Sequence, residues 1–301
     1  MTTNANQQQP QWDESIVLEY EARVEPFTGL FVKDLLDPVF SAETQKKIDE
    51  GHDYKPPRLL DIGCGTGTGS LLAAENGFRV TATDVSPGMV DRTKKRASDQ
   101  GFGSSIDCMV ADGQNLTDCL PKIPGGGQYD YAIAAFSLIF FPDPAKGLSE
   151  IYQCLSEEGQ VLLCAWGNTE ETPAFQFFGE AFQKVNGRDN KNAAKPNRIT
   201  GSPSLLKSML ETAQFQDVTI VGPISHNVQV ASAQAYFDRF ALTSPKIRDS
   251  LKVLSAHDRQ AVKATVFELA EERGGGHPDG SISIPSMAYL AYGIKRSLSK
   301  K

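Results

Sequence analysis

What the sequence lacks narrows its function first. No stretch approaches the ~18 consecutive apolar residues of a membrane span, so no membrane partner is expected. Positive charge is in deficit: 30 Lys and Arg stand against 37 Asp and Glu, a net charge of -7. A protein that grips the phosphate backbone needs clustered positive charge, so a nucleic-acid partner is not expected. Histidine and cysteine are scarce, at 4 and 5 residues. Cys64, Cys108, Cys119, Cys154 and Cys164 form no Cys-x-x-Cys pair and no Cys/His cluster at ligand spacing. A metal centre is therefore not expected, and buried free thiols are. Residues 1–11 are Gln-rich and have no apolar core, so they read as a disordered tail, not a signal peptide. Together these features point to a reducing, cytoplasmic setting.

What is present suffices for a sizeable core. The 301 residues are 40% hydrophobic and 22% charged, an ordinary globular composition. Apolar residues recur at three- and four-residue steps over 12–39, which predicts helix broken in two by Pro26 and Gly29. A polar linker is expected over 41–57. Strands and helices then alternate. Strands are expected at 58–62, 78–83, 106–110, 129–136 and 160–166, with helices at 67–76, 86–100 and 145–154. Near-continuous apolar strands alternating with helices predict a parallel sheet covered on both faces. Beyond Trp166, helices are expected at 175–185 and 204–213. A strand at 217–230, helices over 231–273 and a strand at 282–294 follow.

The first informative motif is Asp61-Ile62-Gly63-Cys64-Gly65-Thr66-Gly67, between a predicted strand and a predicted helix. Glycines there let backbone approach a ligand, and a helix N-terminus offers free N–H groups. The dinucleotide fingerprint G-x-G-x-x-G fails, because the sixth position is Thr68 counted from Gly63 and Ser70 counted from Gly65. Asp61, immediately before the loop, suits a ligand with an ammonium group. Asp84 and Asp112 end the next two predicted strands. In open α/β sheets ligands bind outside such strand ends.

These motifs together resemble the class I S-adenosylmethionine-dependent methyltransferases. The stretch from Asp61 to Gly67 is similar to their first motif, Thr83-Asp84-Val85-Ser86-Pro87-Gly88-Met89 to the second and Ala111-Asp112-Gly113 to the third. The segment from Ala135 through Asp143, with Leu148-Ser149-Glu150-Ile151 and Gly159-Gln160-Val161, resembles the small-molecule branch. That branch includes quinone-biosynthesis and fungal secondary-metabolite methyltransferases. The Pro-Gly-Gly turn usual before the fifth strand is Ser156-Glu157-Glu158-Gly159 here. The fourth strand lacks the Asn-Pro-Pro-Tyr of DNA and glutamine N-methyltransferases.

The resemblance implies a Rossmann-like, doubly wound α/β sheet of seven strands with the last antiparallel. It divides the chain into a lid and linker at 12–57, a core at 58–230, a helical cap insert at 231–280 and a last strand with its tail at 281–301. It implies S-adenosylmethionine as cofactor and S-adenosylhomocysteine as product. Asp61, Gly63, Cys64, Gly65 and Thr66 would hold its methionine moiety, with Thr66 donating to the carboxylate or capping the next helix. Asp84 would accept from both ribose hydroxyls, beside Val85. Met89 would pack on adenine, Asp112 would accept from its amine, and Gly113 would donate to a ring nitrogen. Ala135 and Phe136 would lie at the sulfonium and its methyl, and Tyr20 on the lid above. Trp12, Phe27 and Trp166 are candidate walls for a small-molecule acceptor, and His226 is the candidate general base. The basic loop at 188–198 reads as solvated surface. Two rival readings remain at this point: an NAD(P)-dependent oxidoreductase and a non-catalytic S-adenosylmethionine-binding subunit.

Overall fold

The computed structural model describes residues 14–119, 128–186, 202–274 and 277–296. Trp12, the expected tail 1–11 and the basic loop 188–198 lie outside the described residues.

Seven strands form one sheet: β1 (Arg58–Ile62), β2 (Arg79–Asp84), β3 (Ile106–Val110), β4 (Tyr129–Ala135), β5 (Leu155–Trp166), β6 (Gln216–Val230) and β7 (Ile282–Ile294). Their order is β3-β2-β1-β4-β5-β7-β6. Neighbours from β3 to β5 pair in parallel, and β7 runs antiparallel to both β5 and β6. The doubly wound fold with an antiparallel last strand is the one expected from the motifs. Strand order reverses between β1 and β4, where Asp61 lies beside Ile133. Such a switch point opens a crevice at the carboxyl ends of the strands.

Apart from the partly exposed Arg58, β1 is buried along its length, because it is covered on both faces. One face packs Leu148 and Ile151 of α5 (Pro144–Cys154) and Leu206 and Leu210 of α7 (Pro203–Thr212) against Val161 and Leu163. The other face packs α3 (Thr68–Glu75), α4 (Pro87–Asp99) and the N-terminal helices. Ser86 starts α4 by accepting from the Met89 N–H at 3.3 Å, with Pro87 in the first turn, as the sequence predicts.

The N-terminal region departs from expectation. α1 (Glu14–Arg23) and α2 (Glu25–Glu50) meet at Val24. Pro26 sits in the first turn of α2, where its missing N–H costs no hydrogen bond. Gly29 does not break the helix; a Cβ there would lie 3.3 Å from the Thr68 methyl, so it marks the close approach of α2 to α3. The expected linker at 41–57 is helical through Asp53, continuing α2 and then a 3-10 turn. Glu43 explains part of this. It is buried and accepts from the Tyr54 and Tyr131 hydroxyls, at 3.2 and 2.7 Å.

The insert before β7 forms α8 (Ala233–Thr243), α9 (Pro245–Lys252) and α10 (Ala256–Arg273). Ser232, Ser244 and Ser255 cap them, each accepting from the N–H three residues on. This insert is no detached cap. Phe31, Leu35 and Leu36 of α2 share one core with Ile133 and Phe136, with Val262 and Val266 of α10, and with Ile284 of β7. Among the described residues, no helix is long and apolar enough to cross a membrane.

Candidate functional site

The loop after β1 is shaped by glycines at positive φ: 70° at Gly63, 56° at Gly65 and 93° at Gly67. The Gly63 and Cys64 N–H groups both donate to the Thr83 carbonyl, at 2.8 and 2.9 Å, tying the loop to β2. At Gly63 a Cβ would lie 2.4 Å from that of Ser137, so backbone must pass there. Gly65 faces open space.

Above the loop lies an open cleft of about 140 Å³ at the β1/β4 switch point. Of the sequence-derived candidates, Tyr20, Gly63, Gly65, Asp84, Val85, Met89, Asp112, Gly113, Ala135 and Phe136 line it. Gln114, Ser137, Phe140, Phe141 and Pro142 also line it and were not assigned from sequence, although four of them lie in or beside the quoted fourth motif. Ser137 is fixed by donating to the Ile62 carbonyl at 2.7 Å. Gly113 is required because a Cβ would fall 2.3 Å from the Phe141 ring.

The acids are held differently. The Asp84 carboxylate accepts from the Gly65 N–H at 3.0 Å and the Ser86 N–H at 2.9 Å. Burial raises its pKa, and these N–H groups oppose the shift. Asp112 accepts from the Gln114 N–H at 2.9 Å, stiffening its turn. Asp61 does not line the cleft. It is buried beneath the loop and accepts from the Ser70 hydroxyl at 2.7 Å. Burial pushes it up to about 7; Ser70 opposes that shift and the Asp84 charge adds to it.

Several candidates are placed elsewhere. Cys64 is buried with its sulfur 3.7 Å from the Thr93 hydroxyl, and burial pushes the thiol up. Thr66 neither caps α3, whose N-cap is Gly67, nor faces the cleft; its hydroxyl donates to Glu25 of α2. Phe27 and Trp166 do not line the cleft. Trp166 is stacked between Phe136, at 3.9 Å between ring centroids, and Phe27, at 5.8 Å. Phe136 alone of the three reaches the cleft, at a φ of 59° that side chains rarely adopt. His226 is also displaced. It lies on β6, the terminal strand of the sheet, whereas the cleft sits over β1 to β4. Its Nε2 is 2.6 Å from the Asp34 carboxylate, and its ring meets Phe31 edge-on at 4.6 Å. The histidine without an acidic partner in sequence thus has one in space, supplied by α2.

The lid is fastened by charge. Glu25 accepts from Arg96 and from the hydroxyls of Thr66 and Thr68. Glu21 accepts from Arg92 of the same helix α4. These contacts, which sequence spacing did not reveal, join the lid to the glycine loop. Tyr20 sits on α1 above the loop, and burial pushes its phenol up to about 12. Among the described residues no group of three or more His, Cys, Asp or Glu side chains could hold a metal.

Comparison with known proteins agrees with this geometry. Residues 60–163 match the family described as a methyltransferase domain. The chain is 27% identical to the malonyl-[acyl-carrier protein] O-methyltransferase of Serratia marcescens, over 50% of this chain and 53% of that protein. It is 30% identical to the aklanonic acid methyltransferase DauC of a Streptomyces species, over 40% and 54%. It is likewise 30% identical to the magnesium-protoporphyrin O-methyltransferase of Rhodobacter capsulatus, over 43% and 54%. The chain spans about half the length of the curated relatives it matches. Among solved structures, a putative methyltransferase from Bacillus halodurans has the same fold at a TM-score of 0.51 and 16% identity, over 85% of this chain and all of that one. Residues 60–163 thus match a methyltransferase domain, and the strand order and strand-end motifs around it are similar to those of class I S-adenosylmethionine-dependent methyltransferases.

Proposed function

We propose that the chain is an enzyme that transfers a methyl group from S-adenosylmethionine to a small-molecule acceptor, releasing S-adenosylhomocysteine. The observation that carries this reading is one cleft, at the switch point, lined by Gly63, Gly65, Asp84 and Asp112 from three successive strand ends. The aklanonic acid and the magnesium-protoporphyrin in the names of two matched relatives support a small acceptor over a nucleic acid. The loop's departure from the dinucleotide spacing argues against the oxidoreductase reading.

The residues fit the cofactor. A carboxylate offers about four lone-pair sites, and two N–H groups occupy only part of the Asp84 carboxylate. The remainder can accept from both ribose hydroxyls. Asp112 would accept from the adenine amine, with Met89 and Val85 against the ring. The open space beside Gly65 leaves room for the methionine moiety. Asp61, beneath the loop, would favour a bound ammonium group. When bound, S-adenosylmethionine supplies an electrophilic methyl on a good leaving group. The protein then needs neither a metal nor a covalent nucleophile. Its task is to hold the acceptor in line beside Ala135 and Phe136 and to exclude water with Tyr20 above. Positioning of this kind can lower a barrier by about 7–11 kcal/mol.

The test is transfer of label from methyl-labelled S-adenosylmethionine across a panel of small acceptors, run beside thermal shifts with S-adenosylhomocysteine and with NAD. Label transfer together with a shift by S-adenosylhomocysteine alone is expected. A shift by NAD alone would overturn the reading. Binding without transfer to any acceptor would favour a non-catalytic subunit.

A further inference from the structure

Gln114 bridges the two lips of the cleft. It stands in the turn 112–114 that would receive adenine, and it lines the cleft. Its side-chain oxygen accepts from the Asp143 N–H at 2.7 Å, across 29 residues of chain. Asp143 in turn starts α5, its carboxylate accepting from the Lys146 N–H at 3.0 Å. Residues 136–143 form the opposite lip, which brings Phe136 and the 63%-exposed Phe140 to the cleft. A second contact runs beside the first. The Phe141 ring is wedged between Gly113 and Gly147, where a Cβ would fall 2.3 and 2.5 Å from it. The adenine-side turn thus meets this lip twice, through a hydrogen bond and through a packed ring.

The two ends of the lip are held differently. Its start is tied to the sheet: the Phe136 N–H donates to the Cys164 carbonyl at 2.9 Å, and the Ser137 hydroxyl to the Ile62 carbonyl at 2.7 Å. Its far end is tied to the turn, through Gln114. The turn itself is not fully engaged. The Gln114 backbone N–H holds one Asp112 carboxylate oxygen at 2.9 Å, but the side-chain nitrogen is 3.5 Å from that same oxygen, the limit of a hydrogen bond. A carboxylate has about four lone-pair sites, so Asp112 keeps capacity for an adenine amine. A ligand that draws on Asp112 acts on a turn whose next-but-one residue holds the lip. Close packing passes such a displacement on instead of absorbing it.

We propose that Gln114 is a positioning residue that couples the cofactor side of the cleft to the acceptor side. Adenine seated on Asp112 fixes, through the Gln114–Asp143 bond, the loop that carries Phe136 and Phe140. The proposal rests on the methyltransferase reading above and adds to it a link between the two halves of the site. Gln114 touches no reacting atom; it acts through the loop.

The test follows hydrogen exchange of single amides by mass spectrometry, in the full chain without ligand and saturated with S-adenosylhomocysteine. In the wild type the ligand should slow exchange of the Asp143 amide at least fivefold. Gln114→Met keeps the length of the side chain and removes the acceptor, so the slowing should fall below twofold. The Gly65 amide, which donates to Asp84, reports that the ligand is bound and should be slowed in both proteins. A merely structural glutamine would change Asp143 exchange equally with and without ligand, and the ratio would keep its wild-type value. A slowing below fivefold in the wild type, or above twofold in the variant, overturns the proposal. Gln114→Ala, read by the same limits, replaces the methionine variant if that one fails to fold. Absence of Gly65 slowing in the wild type would instead count against the methyltransferase reading itself.

Discussion

At the scale of single residues, Asp61 gives the site a pH dependence. In the unfolded chain its carboxyl ionises near the usual 3.8, and in the fold only near about 7. The folded state therefore holds the proton more tightly. The stability this contributes is full below pH 3.8 and is lost as pH rises through 7. Asp61→Asn keeps a neutral group there, so its denaturant stability should vary less between pH 4 and 8 than that of the wild type. Identical pH slopes in the two proteins would contradict the burial argument. Other residues differ in how legible they were. Asp84, Asp112, Gly63 and Gly65 could be placed because each sits at a fixed offset from a strand end. Thr66, His226 and Trp166 could not, because Glu25, Asp34, Phe27 and Phe31, which redirect them, come from a distant helix.

At the scale of elements, α2 joins lid, loop and sheet. Its helical period was legible up to Val39, but its length was not. Pro26 and Gly29 look like breaks in sequence. In the fold one is a first-turn proline and the other a close approach to α3. Glu25, at the head of this helix, holds Arg96 and two loop hydroxyls. Removing one partner of a mostly buried ion pair typically costs about 3–5 kcal/mol. The Arg96 side chain remains 17% exposed, which moves the expectation to the lower end. Glu25→Ala should therefore lose about 2–3 kcal/mol of unfolding free energy and weaken S-adenosylhomocysteine several-fold by freeing the loop. Lost stability with unchanged affinity would show that the latch does not shape the site.

At the scale of the whole molecule, alternation pointed to a parallel sheet covered on both faces, and the resemblance implied seven strands with the last antiparallel. A cap built by the insert together with the N-terminal helices was also expected, but the single core that both share with the sheet was not, because periodicity shows which face is apolar and not what covers it. Phe31 marks that junction. It is fully buried and meets Phe27, Phe136, Trp166 and His226. Phe31→Ala should cost about 3–5 kcal/mol in chemical denaturation. A loss below about 1 kcal/mol, the scale of a surface change, would mean that lid and cap fold independently of the sheet.

The central claim is that the cleft at the β1/β4 switch point binds S-adenosylmethionine through Asp84. A calorimetric titration of S-adenosylhomocysteine into wild type and Asp84→Ala tests it most directly. Saturable binding to the wild type is predicted, weakened more than tenfold in the variant, because a charge-assisted pair of hydrogen bonds is lost. No binding to the wild type, or equal affinity in the two proteins, would contradict it.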